Sequence, residues 1–294
     1  MQLPLIQTLG TTLIVPLLTL GCGGGSIEAG PGSGQGVGDS AKVTTVGVHV
    51  PVATTLQVEV PGGIHRPLYP GKDEPEELAV DAFLMDRFAV TNAQFLDFVV
   101  ANPEWQRSKI AGLFADESYL GHWTGDLELD PRTTDAPVTQ ISWYAARAYA
   151  EWLDRRLPTL AEWEYAAAAS ETAAYGREEP GYNQRIVDWY AQKTPAILPA
   201  VGAGPANHYG VVDLHGLVWE WVDDFNTALV TGESRGDSGL DRNLFCGSGS
   251  IGAADPSDYA AFMRFAFRSS LAARYSVGNL GFRCAADLAP SSED

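Results

Sequence analysis

Basic residues are scarce in this 294-residue chain: 19 Lys and Arg stand against 37 Asp and Glu, a formal net charge of −18. No Lys/Arg cluster interrupts the acidic balance, so the surface repels phosphate backbones and nucleic acid is excluded as a partner. An acidic surface of this kind is either a solvated face or, site by site, a source of ligands for divalent cations. Cysteine is also sparse, with three in the chain, and the five histidines are scattered. His208, His215 and Glu220 come nearest to a cluster, but their spacing matches no helical i, i+4 ligand pair. Long apolar runs are missing. The N-terminal one is too short and too interrupted by proline to span a membrane comfortably. No internal repeat is evident, and a hydrophobic content of 45% is ordinary for a globular protein.

Residues 1–21 are uncharged, with Thr11-Thr-Leu-Ile-Val-Pro-Leu-Leu-Thr-Leu20 followed by Gly21-Cys22. This resembles a bacterial lipoprotein signal, in which Cys22 is acylated after cleavage, although no Lys or Arg precedes the apolar run and Thr19 replaces the usual leucine. Residues 22–40 read as a Gly/Ser-rich tether. The 18 residues from Gly23 to Ser40 cannot bury enough surface to fold and would reach roughly 20–25 Å as a flexible coil. The expectation is an extracytoplasmic, periplasmic lipoprotein held at the outer membrane, touching the bilayer only through its lipid, with one domain over residues 41–294.

Within that domain, Lys42 to Val60 alternates in the manner of strands, and Pro61-Gly-Gly63 ends the pattern. Asp81 to Val90 is a further strand candidate. Thr91 and Gln94 form a capping box that opens a helix with Phe95, Phe98 and Val99 on one face. Residues 102–140 read as loop. Ile141 to Leu153 is amphipathic, and Thr159 with Glu162 caps a third helix, Leu160 to Ala169. From Ser170 onward, regular signals are sparse. Three short helices, short strands and long loops predict an α+β fold.

Gly247, Gly249 and Gly252 match the spacing of a dinucleotide-binding fingerprint, yet Pro256 falls inside the helix that should follow and no acid lies near position 272. The nucleophile elbow of serine hydrolases also fails, because Ser248 stands where its first glycine belongs. With Cys22 assigned to the anchor, Cys246 and Cys284 remain. Outside the cytoplasm they form a disulfide, stay as buried thiols, or leave Cys246 as a reactive or copper-binding thiolate; spacing alone does not choose.

Four stretches carry a family resemblance, in order and across about residues 55–287. They are Phe88-Ala-Val-Thr-Asn-Ala-Gln-Phe95, Arg156-Leu-Pro-Thr-Leu-Ala-Glu-Trp-Glu-Tyr-Ala166, Tyr209-Gly-Val-Val-Asp-Leu-His-Gly-Leu-Val-Trp-Glu-Trp221 and Asn279-Leu-Gly-Phe-Arg-Cys-Ala-Ala-Asp287. Together they resemble the formylglycine-generating enzyme, or sulfatase-modifying factor, family. The resemblance implies a C-type-lectin-like variant of the α+β fold. It also implies an oxidase that binds Cu(I) through two cysteines placed after a Gly-Gly-Ser motif. Matched on Gly249-Ser250, those positions hold Ala253 and Asp258, neither a soft ligand for Cu(I). The wording of Leu244 to Leu271 looks most like the accessory branch called NirV, whose members are encoded beside copper nitrite reductases.

The resemblance further implies a structural Ca²⁺ held in part by Glu220. Leu217 replaces an asparagine ligand there, so Asp213 or water would have to complete the oxygen shell. Three functional expectations follow. The first is an accessory or maturation factor for a partner such as a copper enzyme. The second is an oxidase of the same family using Cys246, with Ser248, Ser250, Arg268 and Arg274 around its pocket. The third is a lectin-like binding module.

Overall fold

The structure, a computed structural model, describes residues 55–68, 76–226 and 258–289. The lipidation and tether expectations, together with Cys246, Ser248, Ser250 and Ala253, lie outside these residues, as does most of the first strand run. Among the described residues the chain forms five α-helices, three single-turn 3-10 helices and seven short strands, the α+β arrangement expected. No helix among them is long and apolar enough to cross a membrane.

The strands are β1 (Gln57–Val60), β2 (Gly63–His65), β3 (Leu78–Val80), β4 (Phe83–Asp86), β5 (Trp219–Glu220), β6 (Leu280–Gly281) and β7 (Ala285–Asp287). They make three small sheets. β4 lies between β1 and β7, antiparallel to both, with Val58 opposite Met85 and Met85 opposite Ala285. β2 and β3 pair antiparallel, and β5 pairs with β6 in parallel, Glu220 facing Gly281. The C-terminal signature therefore supplies strands to two sheets at once. Gly281 is required at that crossing, because a Cβ there would stand 2.7 Å from the carbonyl oxygen of Val138. Gly281→Ala is expected to cost about 1–3 kcal/mol by forced displacement of backbone, readable as a lower urea midpoint at unchanged m-value.

The helices are α1 (Asn92–Ala101), α2 (Trp143–Trp152), α3 (Leu160–Ala167), α4 (Tyr182–Tyr190) and α5 (Tyr259–Ser269). α1 begins at the expected capping box, Thr91 accepting from the Gln94 amide while the Gln94 side chain accepts from the Thr91 amide. α3 begins at the equivalent Thr159–Glu162 box. α2 starts two residues later than expected, at a Ser142 cap, and α3 ends at Ala167, two residues earlier. Phe95 anchors the core, its ring 5.3 Å from Phe98, 5.7 Å from Tyr149 and 6.2 Å from Phe282. α1, α2 and the tail thereby share one buried aromatic cluster.

Helices α4 and α5 correct the expectation of sparse structure after Ser170. α4 enters through Gly181 at φ +80°, a left-handed conformation that glycine adopts without strain, and carries no side-chain cap. α5 is capped by Asp258, whose carboxylate accepts from the Ala261 amide. Its buried stripe is Ala260, Ala261, Arg264 and Arg268, which has helical spacing but half of it charged. A search for apolar periodicity passes over such a helix.

Candidate functional site

The two arginines of α5 enter the protein because α3 carries an acid to meet them. Glu164 is buried and accepts from Arg264 through Nε at 2.9 Å and a terminal nitrogen at 2.7 Å, and from Arg268 at 2.6 Å. Burial alone would push the Glu164 carboxyl up; the two guanidinium groups outweigh it and hold the group far below the usual carboxylate range. Arg264 also donates to the Tyr190 hydroxyl at 3.2 Å, which fastens α4 to the same cluster.

Trp163, the residue before Glu164, joins this triad to a second ion pair. The Arg268 guanidinium lies 4.6 Å from its ring centroid, a cation–π distance, and the indole N–H donates to Glu220 at 2.7 Å. Glu220 is in turn gripped by Arg283 in a fork, both contacts at 2.8 Å. The remaining Arg283 donors reach the backbone carbonyls of Asp86, Arg87 and Val212. One fully buried guanidinium, two residues past β6, thus ties together β4, β5 and the segment at Val212. Two carboxylates and three arginines make this interior cluster formally net positive by one.

His215 packs edge-on to Trp163, with centroids 5.8 Å apart, and its Nε2 donates to the Ala167 carbonyl. Burial, reinforced by the nearby Arg264 charge, lowers its pKa to about 3, so the imidazole is neutral. The unfolded chain binds a proton at His215 below about pH 6.5 that the folded chain refuses until about pH 3. This group's stabilising contribution is therefore complete above the first value and is lost as pH falls between them. Asp86, pushed up by burial to about 6, has the opposite slope between its unfolded and folded values. The difference isolates the histidine: His215→Gln is expected to lose less stability than the parent between pH 7 and pH 4 in urea titrations.

Above the charges lies an aromatic slab. Trp219 stacks between Tyr190 at 4.7 Å and Phe267 at 4.5 Å, and Trp189 lies 5.7 Å from it. Trp189, Tyr190 and Trp219 form one side of a cavity of about 190 Å³ whose other side includes Lys193, Leu217 and Asn279. The same three rings border a much smaller buried space that reaches Glu220, Arg264 and Arg268. The arrangement offers an apolar, stacking floor over a fixed positive interior. Among the described residues here, both acids are ion-paired and the histidine is neutral.

Of the residues expected at a pocket, Arg268 and Glu220 are brought together through Trp163. Arg274 is exposed and contributes its backbone carbonyl to the Asp116 amide, away from this cluster. Asp213, at φ +58°, spends its carboxylate on the amides of Gly202 and Gly204. The calcium expectation does not fit this donor set. Both Glu220 oxygens face a guanidinium that would repel a cation, Asp213 serves a separate loop, and no group of three candidate ligands exists among the described residues. Cys284 is fully buried and unpaired among the described residues, and burial beside Asp86 pushes its thiol well up, so it is no nucleophile. Its pairing with Cys246 lies outside them. Asp258 caps α5 and is ion-paired to Arg177 at 2.8 Å. Sequence reasoning missed Glu164, Arg264 and Arg283 as a set; the available signal was Arg264 and Arg268 four apart on one helix face.

The chain is 31% identical to formylglycine-generating enzyme from Streptomyces coelicolor over 81% of its own length and 91% of that protein's. It is 27% identical to inactive C-alpha-formylglycine-generating enzyme 2 of Mus musculus, covering 76% of this chain and 81% of the mouse protein. Among solved structures it aligns with PvdO from Pseudomonas aeruginosa at 20% identity and a TM-score of 0.44, over 79% of this chain and 94% of that one. Residues 49–288 match the model of the sulfatase-modifying factor enzyme 1-like domain, and the chain belongs to that family.

Proposed function

We propose that this protein is a lipid-anchored, extracytoplasmic member of the family that binds a partner rather than oxidising a cysteine, and that the partner is a copper enzyme under maturation, such as a copper nitrite reductase. Asp258 is the observation that carries this reading. It stands at one of the two positions matched to the copper-binding cysteines, and it is buried, caps α5 and pairs with Arg177. A carboxylate so committed supports a structural use of the position where the oxidase needs a thiolate. The similarity to a mouse relative named as inactive agrees with this direction. The Trp219 slab and its cavity are the surface offered to the partner, and buried aromatic anchors of this kind dominate interface energetics.

The test is titration of the full chain against the purified apo copper nitrite reductase of the same organism, with Trp219→Ala alongside. Saturable association that the substitution weakens at least about tenfold, or 1.4 kcal/mol, supports the reading. An absence of association, or binding indifferent to Trp219, removes the copper-enzyme partner.

A further inference from the structure

A second cavity, of about 210 Å³, opens beside β2 and α3 and shares no lining residue with the Trp219 pocket. One wall is the stacked pair Tyr165 and Tyr209, 5.7 Å between centroids, and Tyr175 also faces the space. The polar edge is His65, Arg66 and Arg177. The acids that pair with these arginines, Glu77 and Asp258, do not line the cavity, so its surface is rich in donors and holds no carboxylate among the described residues.

His65 makes this more than a surface dent. It is only 8% exposed, yet it lines the cavity. Burial lowers its pKa, so the imidazole is neutral and presents one N–H and one lone pair. Gly63 shapes the same wall: a Cβ there would collide with the Tyr165 hydroxyl, so glycine lets that ring sit back against β2. A dry cavity of about 150 Å³ accepts benzene, and one of 210 Å³ therefore has room for a ring bearing a small charged group.

We propose that this cavity is a binding site for a small aromatic carboxylate, its ring against Tyr165 and Tyr209 and its carboxylate on Arg66, Arg177 and the His65 N–H. Nothing in this proposal depends on the partner reading of the Trp219 pocket.

The probe is benzoate, titrated into the full chain by calorimetry and by saturation-transfer NMR. Toluene and cyclohexanecarboxylate are parallel arms that remove the charge and the aromatic plane in turn. Benzoate is expected to bind saturably, with both other compounds weaker by about tenfold or more. Arg66→Gln removes only an exposed ion pair with Glu77, and Ala174→Leu fills the space from an exposed position, so both should keep the parental Tm. Each is expected to weaken benzoate binding about tenfold. Lack of saturation at millimolar benzoate, equal binding of toluene, or parental affinity in both variants would overturn the site.

Discussion

Glu164→Gln is expected to destabilise the protein by about 3–5 kcal/mol, because it leaves Arg264 and Arg268 buried beside each other with no counter-charge. At about 2–4 °C per kcal/mol for a domain of this size, Tm should fall by roughly 6–20 °C. The physical point is the difference between breaking a buried pair and replacing it. A triple variant, Glu164→Leu with Arg264→Met and Arg268→Met, removes all three charges together and should recover much of the loss. If instead the triple variant were as unstable as the single one, the triad would owe its effect to shape rather than charge.

The second large effect is expected at Arg283. Arg283→Met removes the ion-pair partner of Glu220, leaving it only the Trp163 indole N–H, and takes from the carbonyls of Asp86, Arg87 and Val212 the donor that joins them. Breaking the pair alone costs about 3–5 kcal/mol, and the lost hydrogen bonds to these carbonyls add to that, although the Arg87 carbonyl keeps the Val212 amide. The variant should fail to accumulate as folded protein. Arg132→Gln supplies the contrast, since its ion pair with Asp130 has a side chain 71% exposed; that change should cost under about 1 kcal/mol. Circular dichroism and soluble yield read both. A folded, soluble Arg283→Met protein would mean that the β4–β5–β6 junction is held by something other than this guanidinium.

These two sites also mark the boundary of what was legible in the sequence. The capping boxes at Thr91 and Thr159 announced α1 and α3, because the residues that satisfy the first amides of a helix are local and specific. The stripe Phe95, Phe98 and Val99 gave the buried face of α1 for the same reason. Helix α5 was hidden because its inward residues include Arg264 and Arg268, which read as surface until Glu164 is placed opposite, one hundred residues away in sequence. Helix α4 was hidden because it enters through a glycine without a capping side chain. Glu220 looked like an ion ligand for as long as Arg283 was seen only as part of a signature; the fork between them is a tertiary fact that no spacing encodes. The stacking of Trp219 between Tyr190 and Phe267 beside a cavity is likewise a tertiary fact, since its partners lie on α4 and α5, the two helices that the sequence hides.

The most direct test of the central claim, that this family member does not carry the copper-dependent oxidase, is Cu(I) titration of the native full-length protein followed by thiol alkylation and mass spectrometry. The protein is then incubated with oxygen and a sulfatase-derived cysteine peptide. The account predicts no tight stoichiometric Cu(I) uptake, Cys284 alkylated only after unfolding, and peptide cysteine recovered unchanged. Rapid alkylation of Cys246, protection of it by one equivalent of Cu(I), and conversion of the peptide cysteine to the aldehyde would contradict it.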